Sequence, residues 1–122
     1  MHNPETIVRD FCAAWVHCDV DRLLAYFADD AIWEDVPLPP RVGKAAIREA
    51  LNPFGPAATA AEFEVLNIAV RDNVVFTERV DRFTIGGKPV VVRVAGVFEV
   101  RDGKIGAWRD YSDIATFRRQ LA

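Results

Sequence analysis

The sequence predicts an α+β fold, with helices laid on one face of a curved, mainly antiparallel sheet. Two observations carry that prediction. Near the N-terminus, Ile7, Val8, Phe11, Cys12, Trp15 and Val16 recur at helical spacing. From Glu62 onward the chain turns to long runs rich in β-branched and aromatic residues, EFEVLNIAV, NVVFTERVDRFTI, KPVVVRVAGVFEV and KIGAWRDYSD, separated by short turns. Helices first and a meander afterwards is the α+β order. A chain of 122 residues suits one domain, residues 1–122, with a single core.

Each element has its own signal. Asn3-Pro4 is a cap followed by proline at the first helical position, and it opens helix 1. Asp19 caps a second helix whose apolar side holds Leu23, Leu24 and Phe27. AIWEDV reads as a short strand stopped by PLPP, where prolines forbid further pairing. Lys44 to Leu51 makes a third helix, broken by NPFGP. The expected architecture is therefore three N-terminal helices against the sheet.

Composition narrows the function. A net charge of −3 and the absence of any Lys/Arg cluster argue against a nucleic-acid surface. No apolar run is long enough for a membrane span, and MHNPETIVRD lacks signal-peptide character, so a cytoplasmic protein is expected. Cys12 and Cys18 point to different faces of helix 1 and read as reduced, buried thiols. No His/Cys/Asp cluster has metal-ligand spacing and no glycine loop is of the phosphate-binding kind, so neither metal nor cofactor is expected. His2 falls in a tail and His17 at a helix end, and Ser112 has no visible base.

The stretch TERVDRF is the anomaly, with four charged side chains in seven strand residues. Turn length places them, because it sets register. Gly86-Gly87 as a two-residue hairpin pairs Ile85 with Lys88, hence Arg79 with Val94 and Asp81 with Val92. RDGK as a three-residue turn pairs Val100 with Lys104, hence Asp110 with Val94 and Ser112 with Val92. Arg79, Val94 and Asp110 then share one row, with Arg79 and Asp110 roughly 10 Å apart at the backbone. A two-residue loop at Asp102-Gly103 would instead turn Asp110 to the other face. Val90, Val92, Val94, Phe98 and Val100 define the apolar side, and it is the side that carries Arg79, Asp81 and Asp110.

One arginine between two buried carboxylates leaves a surplus negative charge, which a proton on one carboxyl relieves. The result is one acid and one carboxylate at neutral pH, a complement for push–pull acid–base chemistry. The same charges also suit a cross-strand ion-pair network on a solvated or partner-facing surface, and both readings stand at this point. Trp15, Trp33 and Trp108 read as core or pocket-lining residues.

The stretches LLAYFADDAIWEDVPLPP, VVFTERVDRF and GVFEVRDGKIGAWRDYSD resemble limonene-1,2-epoxide hydrolase and its relatives. These belong to the cone-shaped nuclear-transport-factor-like (SnoaL-like) superfamily, with ketosteroid isomerases and polyketide cyclases. The resemblance spans nearly the whole chain, and TERVD together with WRDY is its most specific part. It implies an Asp-Arg-Asp triad at Asp81, Arg79 and Asp110, with Asp110 the base on a water, Asp81 the acid on the epoxide oxygen, and Arg79 bridging both. It also implies a homodimer, a small apolar substrate, and no covalent enzyme ester. The family's water-holding Tyr and Asn correspond here to Trp33 and Asp35, which keep one donor and one acceptor on paper. Asp35 would then be protonated or paired with a cation such as Arg41. The expected substrate pocket comprises Phe83, Val92, Val94, Trp108, Ser112 and Phe117, with Ser112 in place of a Phe.

Two other functions are weighed. YFADDAIWED also resembles the ketosteroid isomerase segment that ends in the catalytic Asp, which points to a cyclase- or isomerase-like enzyme using Asp35. The isomerase oxyanion-hole positions, however, align with Phe11 and Gly96. The second is a non-catalytic binding or dimerisation module, since one fold hosts many functions.

Overall fold

Asn3 and Asp19 open the first two helices, as their side chains predict. In the computed structural model, which describes residues 3–122, Asn3 accepts from the Thr6 amide and Asp19 from the Arg22 amide, each at 3.2 Å. Helix α1 (Pro4–Ala14) buries Val8, Phe11 and Cys12 on one side. It tightens into a 3-10 turn at Trp15–His17, and Cys18 reverses the chain at φ 49°. That early turn corrects two expectations, because Val16 and Cys18 lie outside the apolar stripe and are exposed. Both thiols are free. His17 is exposed, and His2 lies outside the described residues.

Helix α2 (Val20–Leu24) is short and buries Leu23 and Leu24. Phe27, expected on that helix, opens strand β1 (Phe27–Val36) instead. Strand β2 (Arg41–Val42) folds back on β1, and helix α3 (Lys44–Leu51) follows. The long strands are β3 (Ala58–Arg71), β4 (Val74–Ile85), β5 (Lys88–Arg101) and β6 (Lys104–Ser112). A further helix, α4 (Ile114–Leu121), is absent from the expected architecture. Asp113 caps it by accepting from the Thr116 amide at 3.2 Å, a signal hidden inside what read as the end of a strand. The fold is thus α+β as expected, but the helix count differs; the strand expected between the second and third helices is present as β1, followed by β2.

All strands join one sheet in the order β2-β1-β6-β5-β4-β3, antiparallel throughout except where β1 runs parallel to β6. The hairpin between β4 and β5 has the register its glycines imply, with Arg79 opposite Val94 and Asp81 opposite Val92. The next hairpin departs from expectation in two places. Arg101 pairs with Lys104 around a two-residue turn in which Asp102 and Gly103 both have positive φ, 51° and 77°. Alone, that turn would send Asp110 outward. A bulge then intervenes, since Val100 pairs with Ile105 but Glu99 with Ala107, leaving Gly106 unmatched. The two changes cancel, and Asp110 faces inward, opposite Gly96 rather than Val94.

The inner face of the sheet and α1 enclose an aromatic core. Phe11 meets Trp108, Phe27 and Phe98 edge-on, at centroid distances of 5.1, 5.4 and 6.0 Å. Edge-to-face pairs of this kind contribute roughly 0.5–1.5 kcal/mol each beyond area burial. Among the described residues no helix is long and apolar enough to cross a membrane, and no group of three or more His, Cys, Asp or Glu is placed to hold a metal.

Candidate active site

Two neighbouring rows of inward side chains build the site. The lower row runs Phe98, Trp108, Trp33, Arg41 across β5, β6, β1 and β2, each the register partner of the next. Its rings stack: Trp108 lies 5.4 Å from Phe98 at 15° and 4.3 Å from Trp33 at 4°. Arg41 closes the stack, its guanidinium 4.6 Å from the Trp33 centroid. The upper row runs Thr77, Gly96, Asp110, Asp35 across β4, β5, β6 and β1.

Arg79 bridges what register alone would leave apart. Its Nε and Nη2 donate to Asp81 at 3.1 and 2.9 Å, and Nη2 also donates to Asp110 Oδ2 at 2.9 Å. Nη1 donates to the Thr77 hydroxyl at 3.0 Å, and that hydroxyl donates to the Gly96 carbonyl at 3.2 Å. The Trp108 indole N–H donates to the other Asp110 oxygen at 2.6 Å. Arg79, Asp81 and Asp110 are 1, 4 and 6% exposed, so the solvated-surface reading of TERVDRF does not hold.

Gly96 makes the bridge possible. A Cβ at this position would fall against Arg79 Nη1 and within 2.5 Å of Asp110 Oδ1. The guanidinium lies in the space a side chain would fill, which is why a glycine interrupts an otherwise apolar strand. Gly96→Ala is therefore expected to push Arg79 off Asp110 and cost about 1–3 kcal/mol, the usual range for overpacking. Thermal unfolding would check it, and an unchanged melting temperature would remove Gly96 from this account.

Electrostatics follow from burial and from the count of charges. Burial raises the pKa of Asp110 to about 6; Arg79 opposes the rise, while Asp81 and Asp35 add to it. Asp81 is raised too, by burial first, with Arg79 opposing and Asp35 reinforcing. Burial works against the charge on Arg79, but Asp110 and Asp81 more than offset it, and its pKa is raised. The cluster thus holds a fixed cation and two carboxyls, one of them poised to carry a proton near neutrality.

The cluster forms the inner wall of a cavity of about 290 Å³. Asp81, Asp110, Trp33 and Asp35 line it, as do the expected Phe83, Val92, Val94, Trp108, Ser112 and Phe117. Arg79 does not; it lies behind the carboxylates. Asp35 takes the second of its two expected states, accepting from Arg41 Nη1 at 2.8 Å. The Trp33 indole N–H is buried and has no acceptor among the described residues. Sequence reasoning missed Thr77 and the bond from Trp108 to Asp110. It also missed the space at Gly96, for which an isolated glycine in a strand was the available signal.

Known proteins resemble this chain to different depths. The chain is 34% identical over 107 residues to epoxide hydrolase EphG of Mycobacterium tuberculosis, covering 88% of this chain and 71% of that protein. The solved structure of an M. tuberculosis LEH-like epoxide hydrolase superposes with a TM-score of 0.84 at 31% identity, over 97% of this chain and 88% of the other. A Catenulispora acidiphila protein with a ketosteroid isomerase-like fold, solved with trimethylamine, reaches a TM-score of 0.81 at 21% identity, over 93% and 90% of the two chains. At that identity the likeness concerns the fold alone. The family model described as limonene-1,2-epoxide hydrolase catalytic domain matches residues 2–122. The chain therefore belongs to the limonene-1,2-epoxide hydrolase family.

Proposed function

We propose that the protein hydrolyses a small, largely apolar epoxide to a vicinal diol in one step, without a cofactor. The observation that carries this reading is the single Arg79 Nη2, bonded to Asp81 and Asp110 at 2.9 Å each beside an apolar cavity. Asp110 as carboxylate takes a proton from a water, and the water oxygen bonds to an epoxide carbon. As the carbon–oxygen bond of the ring breaks, Asp81 as carboxylic acid protonates the departing oxygen. Proton return from Asp110 to Asp81 restores the starting state. Trp33, whose indole N–H has no acceptor among the described residues, and Asp35 complete the hold on the water. The roles of the two carboxyls follow the family resemblance; burial raises the pKa of both, Asp110 to about 6, so the division into acid and base rests on that resemblance.

Asp35 as an isomerase-type base is less well supported, because one of its oxygens is already engaged by Arg41 at 2.8 Å. The homodimer is part of the same proposal; Phe76, Val91 and Tyr111, exposed on the outer sheet face, are apolar surface it would cover.

Turnover in oxygen-18 water tests the reaction. With a panel of small epoxides, label is expected in the diol even in a single turnover. Label retained on a protein carboxylate would overturn direct attack by water. Turnover of a dienone but of no epoxide would transfer the site to the isomerase-like reading.

A further inference from the structure

Both rows of the site end on one residue. Arg41 stacks on Trp33 at the end of the aromatic row and forms an ion pair with Asp35 at the end of the polar row. Asp35 is the direct register partner of Asp110 on the parallel neighbour strand. Without Arg41, three carboxyls would face one guanidinium across adjacent strands.

We propose that Arg41 is a positioning residue of this site, holding Asp35 as a carboxylate beside Asp110 and thereby setting the pH at which Asp110 can accept a proton. The proposal rests on the reading of Asp110 as the base. Its physical content is a charge balance. A lone Asp35 anion next to Asp110 would make a second anion there harder to form. The Arg41 cation, 2.8 Å from Asp35, opposes that field. Arg41 is held in place from two sides, by the planar Trp33 face and by the carboxylate, a geometry that suits a guanidinium better than an ammonium.

The other groups around the pair leave Arg41 as the adjustable one. From β4, Arg79 and Asp81 are locked to each other and to Asp110. From α1, the Cys12 thiol is pushed up to about 12, by burial above all, and stays neutral. Cys18 and Arg118 line the same cavity but are exposed. The Arg41 side chain is 30% exposed and sits on a two-residue strand at the sheet edge, so changing it removes no fully buried side chain and bares only one face of Trp33.

Carboxyl carbon-13 titration, which needs no substrate, is the primary test. The Asp110 midpoint, near 6 in the parent protein, is expected to rise by about one pH unit in Arg41→Gln. It should fall below the parent value in Asp35→Asn and return close to it in the Asp35→Asn/Arg41→Gln double variant. Arg41→Lys, which keeps the charge, should stay near the parent. The acid limb of kcat/KM for epoxide hydrolysis should move with the midpoint in each variant. An unmoved midpoint in Arg41→Gln, or a double variant that titrates like Arg41→Gln, would overturn the proposal. If Arg41→Gln does not fold, a midpoint unmoved in Asp35→Asn overturns it equally. Absence of epoxide turnover in the parent protein at every pH would sink the assignment of Asp110 as base, while the titrations still decide the role of Arg41.

Discussion

Asp110→Asn is expected to lower kcat/KM for epoxide hydrolysis by about 10²–10⁴-fold, the range that a positioned general base supplies. Asparagine keeps the shape of the side chain and can still accept the 2.6 Å bond from Trp108, but it cannot take a proton from water. Asp81→Asn should lose activity on the same scale, since an amide cannot supply an acidic proton to the departing oxygen. Because the two carboxyls work in one step, the double variant should be scarcely worse than either single one. Initial rates of diol formation for the three variants check this. Independent, multiplying losses would mean that the two residues serve separate steps. Both single variants should fold, since asparagine is isosteric with aspartate and keeps one of its two acceptor oxygens.

Arg79→Ala is expected to differ in kind, because its main effect is on stability. The guanidinium side chain has no exposure, and among the described residues it is the one cation in contact with Asp81 and Asp110. Removing it leaves two buried carboxyls and a void under Phe63, over whose ring Arg79 now lies at 4.9 Å. Breaking a buried pair from one side costs about 3–5 kcal/mol. The sign with pH is set by carboxyl pKa values already raised in the folded state, Asp110 to about 6. A raised carboxyl contributes stability below its unfolded value, near 4, and that contribution is lost as pH rises through the folded value. Without Arg79, which opposes the rise in both carboxyls, the folded values move higher still. The deficit of Arg79→Ala should thus be largest at and above neutral pH and should shrink as pH falls toward 4. Denaturant titration at several pH values measures it, and a deficit independent of pH would show that packing, not charge, dominates.

What the sequence made legible was whatever depends on periodicity and on tight turns. Gly86-Gly87 specified the β4–β5 register, and with it the placing of Arg79 and Asp81 on the apolar side. The alternation of Val90, Val92, Val94 and Phe98 identified that side. Helix α4 stayed hidden because its capping Asp113 continues the polar ending of a strand. Arg41 could be offered as a partner for Asp35 but not placed, since a two-residue strand such as β2 has no periodicity to read. The bond from Trp108 to Asp110 depends on how side chains two residues apart lean along a strand, which pattern does not encode. Asp110 reached its face by a route that turn rules alone mispredict, with a shorter turn and an added bulge in place of a longer turn.

That substitution of one irregularity for another has a consequence for the site as a whole. The inward or outward aim of Asp110 depends only on whether the residues inserted between Val100 and Trp108, in turn and bulge together, sum to an odd or an even number. A one-residue change in the turn, or the loss of Gly106, would by itself turn Asp110 outward, whereas a paired change in both leaves its aim intact. The β5–β6 hairpin can therefore change length among relatives without disturbing the acid–base wall, provided a compensating residue is gained or lost before Trp108. Its parity is under a constraint that its composition escapes.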